Sequence, residues 1–91
     1  MMSIEEYTSI IGIDKEDFIS NSRKENICFP RHAYWYYLKN HEGIKYKRIA
    51  KLFCRTHASV INGVKSIQNM IDTKNKSINQ YLEVLGIFSH Q

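Results

Sequence analysis

The sequence predicts an all-α protein, a compact bundle of five to six helices that contains a helix-turn-helix. Three observations support this prediction. Apolar residues recur at helical spacing along most of the chain, and only four glycines and one proline interrupt it. A short helical segment is also followed, after a tight connection, by a longer one. Ninety-one residues are the size of one domain and 43% of them are hydrophobic, so we expect residues 1–91 to form a single domain.

The first two helices are predicted from their boundary residues. Ser3 and Glu6 have capping-box spacing, and the apolar residues that follow at helical spacing predict a helix over residues 3–11. Gly12 is typical of a helix C-terminus. Asp14 is a suitable N-cap for a short second helix.

The third helix is predicted to begin at a proline. The stretch 21–26 is polar and has no periodicity, so we expect a loop, and Pro30 suits the first turn of the helix that follows. This helix should run to about His41, with Gly43 as its C-terminal stop. Its aromatic run, residues 34–37, covers every face of one turn. Some of these side chains therefore pack on other helices or form a dimer or partner surface.

Two helices in the middle of the chain predict the helix-turn-helix. A short helix over 44–53 is followed by a tight turn at 54–56 and by a longer helix that starts near His57. A last helix is predicted between Ser77 and Gly86. In such motifs the second helix enters the DNA major groove by its N-terminal end. The short or polar side chains expected to face that groove are Thr56, His57, Ala58, Ser59 and Asn62.

Positive charge is concentrated in the same part of the chain. Residues 21–65 carry ten basic and two acidic side chains, whereas residues 1–20 are acidic. A basic face suits double-stranded DNA, although a solvated lysine-rich surface has the same composition. Arg31 follows a proline, so its backbone is stiff, which suits a narrow minor groove; an exposed place in the first helical turn fits equally well. The basic residues expected at the DNA are Arg23, Lys24, Arg31, Lys45, Lys47, Arg48, Lys51, Arg55 and Lys65.

The sequence gives no sign of an enzyme, a metal site or a cofactor site. Neither cysteine has a partner at metal-ligand spacing, and the histidines are scattered at His32, His41, His57 and His90. No apolar run reaches membrane-helix length and no signal pattern begins the chain, so we expect a soluble, cytoplasmic protein. The alternative to DNA binding is a protein-interaction module that binds a second copy or another protein through the aromatic helix.

Four motifs, in order along the chain, resemble the C-terminal DNA-binding domain of the bacterial replication initiator DnaA, a Trp-repressor-like helical fold. That family runs from a basic loop ending in P-R, through a helix closing in Y-L or A-L and an I-G-x-x-F helix, to a G-G-R-D-H-T-T-V signature. The corresponding stretches here are Pro30-Arg31, Tyr37-Leu38, Ile49 to Phe53 and Arg55 to Val60. The resemblance covers about residues 3–88. It implies sequence-specific DNA binding in transcription or replication control.

Some of the family's DNA-contacting residues are present in this sequence, and others are replaced. The family's minor-groove arginine corresponds to Arg31, and its signature arginine and histidine correspond to Arg55 and His57. Five signature positions differ: one glycine is missing, and the other four differences are Cys54, Thr56, Ala58 and Ser59 in place of glycine, aspartate, threonine and threonine. The family's aspartate and first threonine help to read bases, and both are replaced here. The resemblance therefore does not imply that this chain recognises the DnaA box, the family's target sequence. The family's G-x-x-x-x-G-K-[ST] loop is also missing, so we expect no nucleotide and a stand-alone DNA-binding domain.

Overall fold

The computed structural model describes residues 1–87, and the predicted all-α fold with a helix-turn-helix is confirmed over them. A π-helical turn, Tyr37–His41, extends the third helix, and a 3-10 turn, Lys76–Ile78, precedes the sixth. The α-helices of this range are α1 (Ile4–Ile11), α2 (Lys15–Ile19), α3 (Glu25–Tyr36), α4 (Tyr46–Leu52), α5 (His57–Asp72) and α6 (Asn79–Leu85).

The ends of α1 form as predicted, whereas the predicted cap of α2 does not. Ser3 Oγ accepts the Glu6 amide at 3.1 Å, and the Glu6 carboxylate accepts the Ser3 amide at 3.4 Å. Gly12 ends α1 with a φ of 77°, which a residue with a side chain rarely adopts. Asp14 occupies the N-cap position of α2, but its side chain makes no capping hydrogen bond.

The third helix begins earlier than predicted. It starts at Glu25, within the stretch expected to be a loop, and Pro30 is its sixth residue instead of lying in the first turn. A proline at that position removes one backbone hydrogen bond from the helix. The extra turn buries Ile27, and burial of one aliphatic side chain contributes about 1.5–3 kcal/mol. Tertiary burial therefore outweighs the local preference of the proline.

Helix α3 lies at the centre of the core. Trp35 is 1% exposed, and its ring packs edge-on against Phe53 with centroids 5.6 Å apart. Tyr34 is buried as well and stacks on Tyr7 at 5.3 Å. Tyr37 is buried beside it. Of the two expected alternatives, packing on other helices therefore holds for Tyr34, Trp35 and Tyr37, because α2, α5 and α6 contact α3, whereas Tyr36 is only partly buried.

Helices α3 and α5 pack tightly against each other at a glycine. A Cβ atom on Gly63 would lie 2.7 Å from Cε3 of Trp35 and 2.9 Å from Cδ2 of His32. Real side chains do not approach this closely, so the separation of the two helices depends on the missing side chain. This contact fixes α5 against the core and leaves its opposite side free.

Two features that the sequence does not predict, a membrane-spanning helix and a metal site, can be looked for among the described residues. Within residues 1–87, no helix is long and apolar enough to cross a membrane. In that same range, no three His, Cys, Asp or Glu side chains are grouped so as to hold a metal ion. His90, one of the four histidines considered above, lies outside the described residues.

Candidate nucleic-acid interface

A tight turn joins α4 to α5. Cys54 adopts the left-handed region there, with a φ of 53°. The Arg55 amide donates to the Ala50 carbonyl at 2.8 Å and so closes the turn over the end of α4. Thr56 is the N-cap of α5, and its Oγ1 accepts the Ser59 amide at 3.1 Å. The predicted short helix, tight turn and longer helix are therefore confirmed, including the residue at which the longer helix begins.

The first turn of α5 is open to solvent. Val60 and Ile67 are fully buried on one side of the helix. Ala58 lies nine residues before Ile67, and at about 100° per residue it points away from the core. The residues expected to face a DNA groove are all exposed, namely Thr56, His57, Ala58, Ser59 and Asn62. No other described element covers the tip that was predicted to read bases.

Several tip side chains are already held by contacts within the protein. Thr56 Oγ1 donates to Ser59 Oγ at 2.8 Å in addition to capping the helix. The His57 ring packs edge-on against Tyr46 of α4, with centroids 6.0 Å apart. Lys39 Nζ lies 4.7 Å from the centroid of the same tyrosine ring. Thr56 therefore acts as a cap, whereas His57 is positioned by α4 and keeps its exposed face.

Exposed cations lie on α4 and on both sides of it in sequence. The α4 side chains, together with exposed Leu52, line an open groove of about 560 Å³. Lys65 is exposed two turns into α5, and Arg23 and Lys24 are exposed in the loop before α3. The cations that line the α4 groove are Lys45, Lys47, Arg48 and Lys51.

Arg31 does not project into solvent. It is 4% exposed, and its guanidinium donates to the carbonyl of Ser20 at 2.8 Å and to that of Ser22 at 3.0 Å. Its Cζ lies 5.8 Å from the centroid of the Trp35 ring. The predicted minor-groove probe is therefore wrong for this structure, and so is the exposed first-turn alternative. Because α3 begins at Glu25, Arg31 lies in its second turn and reaches beneath the preceding loop.

Arg55 binds the same loop from the other side. Its guanidinium donates to the Ser20 carbonyl and to Asn21 Oδ1, so Ser20 is shared by Arg31 and Arg55. We call these contacts of Arg31 and Arg55 with the Ser20 carbonyl the clamp, and the sequence did not predict it. The only signal for it was the polar, unperiodic stretch that begins at Asn21, because the partners are separated by more than thirty residues. The clamp fixes the loop that carries Arg23 beside the start of α5.

The clamp concentrates positive charge. Burial lowers the pKa of the Arg31 guanidinium, the nearby Cys28 opposes that effect, and the charge of Arg55 lowers the pKa further. Burial, followed by the charges of Arg31 and Arg55, lowers the pKa of His32 to about 4. His32 is therefore neutral at pH 7. The single ion pair within residues 1–87 joins Lys15 and Glu5, so neither arginine has a carboxylate partner there.

Comparison with known proteins points to one family. The sequence model described as bacterial dnaA protein helix-turn-helix matches residues 4–67. The chain is 31% identical over 74 residues to the chromosomal replication initiator protein DnaA of Kosmotoga olearia, covering 81% of this chain and 17% of that protein. It is 30% identical over 87 residues to the DnaA of Thermotoga petrophila, covering 94% and 20%. The chain thus spans about a fifth of the length of these relatives. None of the solved structures matches it significantly.

Proposed function

Because this chain belongs to the bacterial DnaA helix-turn-helix family, we propose that it binds double-stranded DNA sequence-specifically, with α5 in the major groove. The observation that carries the proposal is the exposed first turn of α5, which points away from the core and lies beside exposed cations. A tip of this kind can approach base edges without any rearrangement of the helices. The proposed process is transcription or replication control.

The base-reading role falls to the outermost side chains of α5. His57 can donate to, or accept from, a base edge, and Asn62 can pair with adenine through two hydrogen bonds. Ala58 offers only a methyl group, which suits contact with the methyl group of thymine. Ser59 Oγ accepts the Thr56 hydroxyl, so its own hydroxyl hydrogen stays free to donate to a base edge or a phosphate.

The positioning role falls to the cations. Lys45, Lys47 and Arg48 lie on or beside α4, the helix that crosses the DNA backbone in this motif. Lys65 extends this basic surface along α5, and Arg23, Lys24 and Arg55 extend it towards the loop. Each phosphate contact releases condensed counterions, so affinity should fall steeply as salt rises. Arg31 serves this surface indirectly, by holding the loop.

The test is a selection of bound sequences from a random duplex pool, followed by affinity measurements on the selected site. His57→Ala should reduce discrimination at one base position by about 1–3 kcal/mol. Lys47→Ala should weaken binding to all sequences and reduce the salt slope by about one unit. Lys76→Ala is the control, because this exposed lysine lies beyond α5 and outside the proposed surface. A pool that yields no enriched sequence would rule out specific binding.

The alternative function is a homodimer or partner-binding module, and it has less support because Tyr34, Trp35 and Tyr37 are buried and only Tyr36 of the aromatic run is partly exposed. Salt dependence separates the two functions. DNA binding should weaken by orders of magnitude between low and moderate salt, whereas an apolar protein interface should change little.

A further inference from the structure

His57 lies at the start of α5, on the side of the helix that contacts α4. It is in register with Val60, Ile61 and Val64, which follow it by three, four and seven positions. Val60 and Val64 are buried, whereas His57, the first residue of α5, is exposed. Its ring packs on the Tyr46 ring of α4, with centroids 6.0 Å apart and planes 81° apart. Part of the imidazole therefore contacts the protein while the rest is open to a ligand.

The Tyr46 ring is itself held in place. Tyr46 is the first residue of α4 and is partly buried against the core. Lys39, in the π-helical turn that extends α3, places its Nζ 4.7 Å from the centroid of the Tyr46 ring, which is a cation–π contact. Three side chains from the end of α3, from α4 and from α5 therefore touch in succession. We call Lys39, Tyr46 and His57 the His57 stack.

The contact with Tyr46 selects an orientation of the His57 ring before any ligand arrives. An exposed side chain moves among several rotamers, and fixing one of them on binding weakens affinity by about three- to tenfold. An edge-to-face aromatic contact stabilises one rotamer by a similar factor. This packing needs no conventional hydrogen bond from Nδ1 or Nε2, so the imidazole can still pair with a base edge.

We propose that Tyr46 is a specificity-determining positioning residue, which orients His57 for base reading and is held for that task by Lys39. Tyr46 acts through His57 and touches no base itself. This role rests on the proposed function, because it is His57 that would read the base. It adds to that function two residues, Lys39 and Tyr46, that neither the charge pattern nor the helix-turn-helix pattern selected.

The first measurement follows the Cε1–H and Cδ2–H resonances of His57 in the free protein by NMR. The ring current of Tyr46 displaces these resonances, so Tyr46→Leu should move them toward the values of an unstructured histidine. Tyr46→Phe keeps the ring and should leave them nearly unchanged. Tyr81→Leu is the matched control, because it removes another partly buried tyrosine ring, on α6. Identical His57 resonances in wild type and Tyr46→Leu would overturn the proposal.

The second measurement compares affinity for the selected duplex with affinity for duplexes changed at one base pair. The relevant base pair is the one at which His57→Ala loses discrimination. Tyr46→Leu should weaken binding to the selected duplex about three- to tenfold and should hardly affect the duplex changed at that base pair. Tyr46→Phe should retain the discrimination, and Tyr81→Leu should not alter it.

A double-mutant cycle separates positioning from a general loss of structure. In a protein that already carries His57→Ala, Tyr46→Leu should add little to the loss of affinity. An equal loss on every duplex, or an equal loss with and without His57→Ala, would mean that Tyr46 only stabilises the fold, and would overturn the proposal.

Lys39→Met tests the other end of the His57 stack. It removes the charge but keeps a long, unbranched side chain. Discrimination at the His57 base pair should fall about two- to fivefold, the value of a cation–π contact at an exposed site, and the salt slope should not change. A uniform loss of affinity with a salt slope lower by about one unit would make Lys39 a phosphate contact and overturn its positioning role.

Failure of this role and failure of the proposed function give different results. A wild-type chain that binds no duplex would overturn the proposed function, and the role of Tyr46 with it. Specific duplex binding with the same discrimination in wild type and Tyr46→Leu would overturn the role of Tyr46 alone.

Discussion

Gly63→Ala tests whether the tight contact between α3 and α5 at this glycine sets the position of the recognition helix. In an exposed helical position this change gains about 1 kcal/mol, because alanine has the higher helix propensity. At Gly63 the new Cβ would meet Trp35 Cε3 at 2.7 Å and His32 Cδ2 at 2.9 Å. Trp35 is 1% exposed and packs on Phe53, so its ring has little room to move.

The expected net effect follows from the two opposing contributions. Overpacking against a ring that cannot yield costs about 3 kcal/mol, at the upper end of the usual range. Subtracting the gain in propensity leaves a destabilisation of about 2 kcal/mol. For a domain of this size, such a loss lowers the melting temperature by about 8–16 °C.

The assay is thermal and urea unfolding followed by circular dichroism. Ser66 lies on the same helix and is exposed, so Ser66→Gly and Ser66→Ala together measure the glycine-to-alanine difference in α5 without a packing contact. The packing cost at Gly63 is the Gly63→Ala result corrected by that difference. A Gly63→Ala protein as stable as wild type, or more stable, would refute the reasoning, because α3 and α5 would then separate without cost.

Three further predictions concern the turn, the cap and the interior histidine. Cys54→Gly should stabilise the protein by about 0.5–1 kcal/mol, because the left-handed conformation at φ 53° strains a residue with a side chain; a lower melting temperature would contradict this. Thr56→Ala should cost about 1 kcal/mol through loss of the α5 cap, whereas Thr56→Ser should restore most of it, and equal stability of all three proteins would exclude the capping role. The pKa of His32 is lowered to about 4 in the folded protein, below its unfolded value of 6.5, so the unfolded chain takes up the proton first and stability should fall as the pH drops from 6.5 to 4. His32→Asn should reduce this slope of melting temperature against pH, and an unchanged slope would assign it to other groups.

Much of the helical pattern was present in the sequence. The ends of α1 and the start of α5 were predicted correctly because a cap involves residues only three or four positions apart. The buried side of α5 followed from apolar spacing for the same reason, and this spacing also placed Ala58 and Asn62 on the opposite side. Local hydrogen bonds and helical periodicity therefore determine which residues form the exposed tip.

Only the tertiary structure decided where Arg31 and the aromatic run lie. A helix boundary shifts when burial outweighs a local preference, and the early start of α3 carried Arg31 from an expected surface position to a place beneath the loop. The bond from Arg55 to Ser20 spans 35 residues, so no local pattern encodes it. A sequence determines which side chains can donate, accept or carry charge. Their partners, and their exposure, are set by chain segments that meet only after folding.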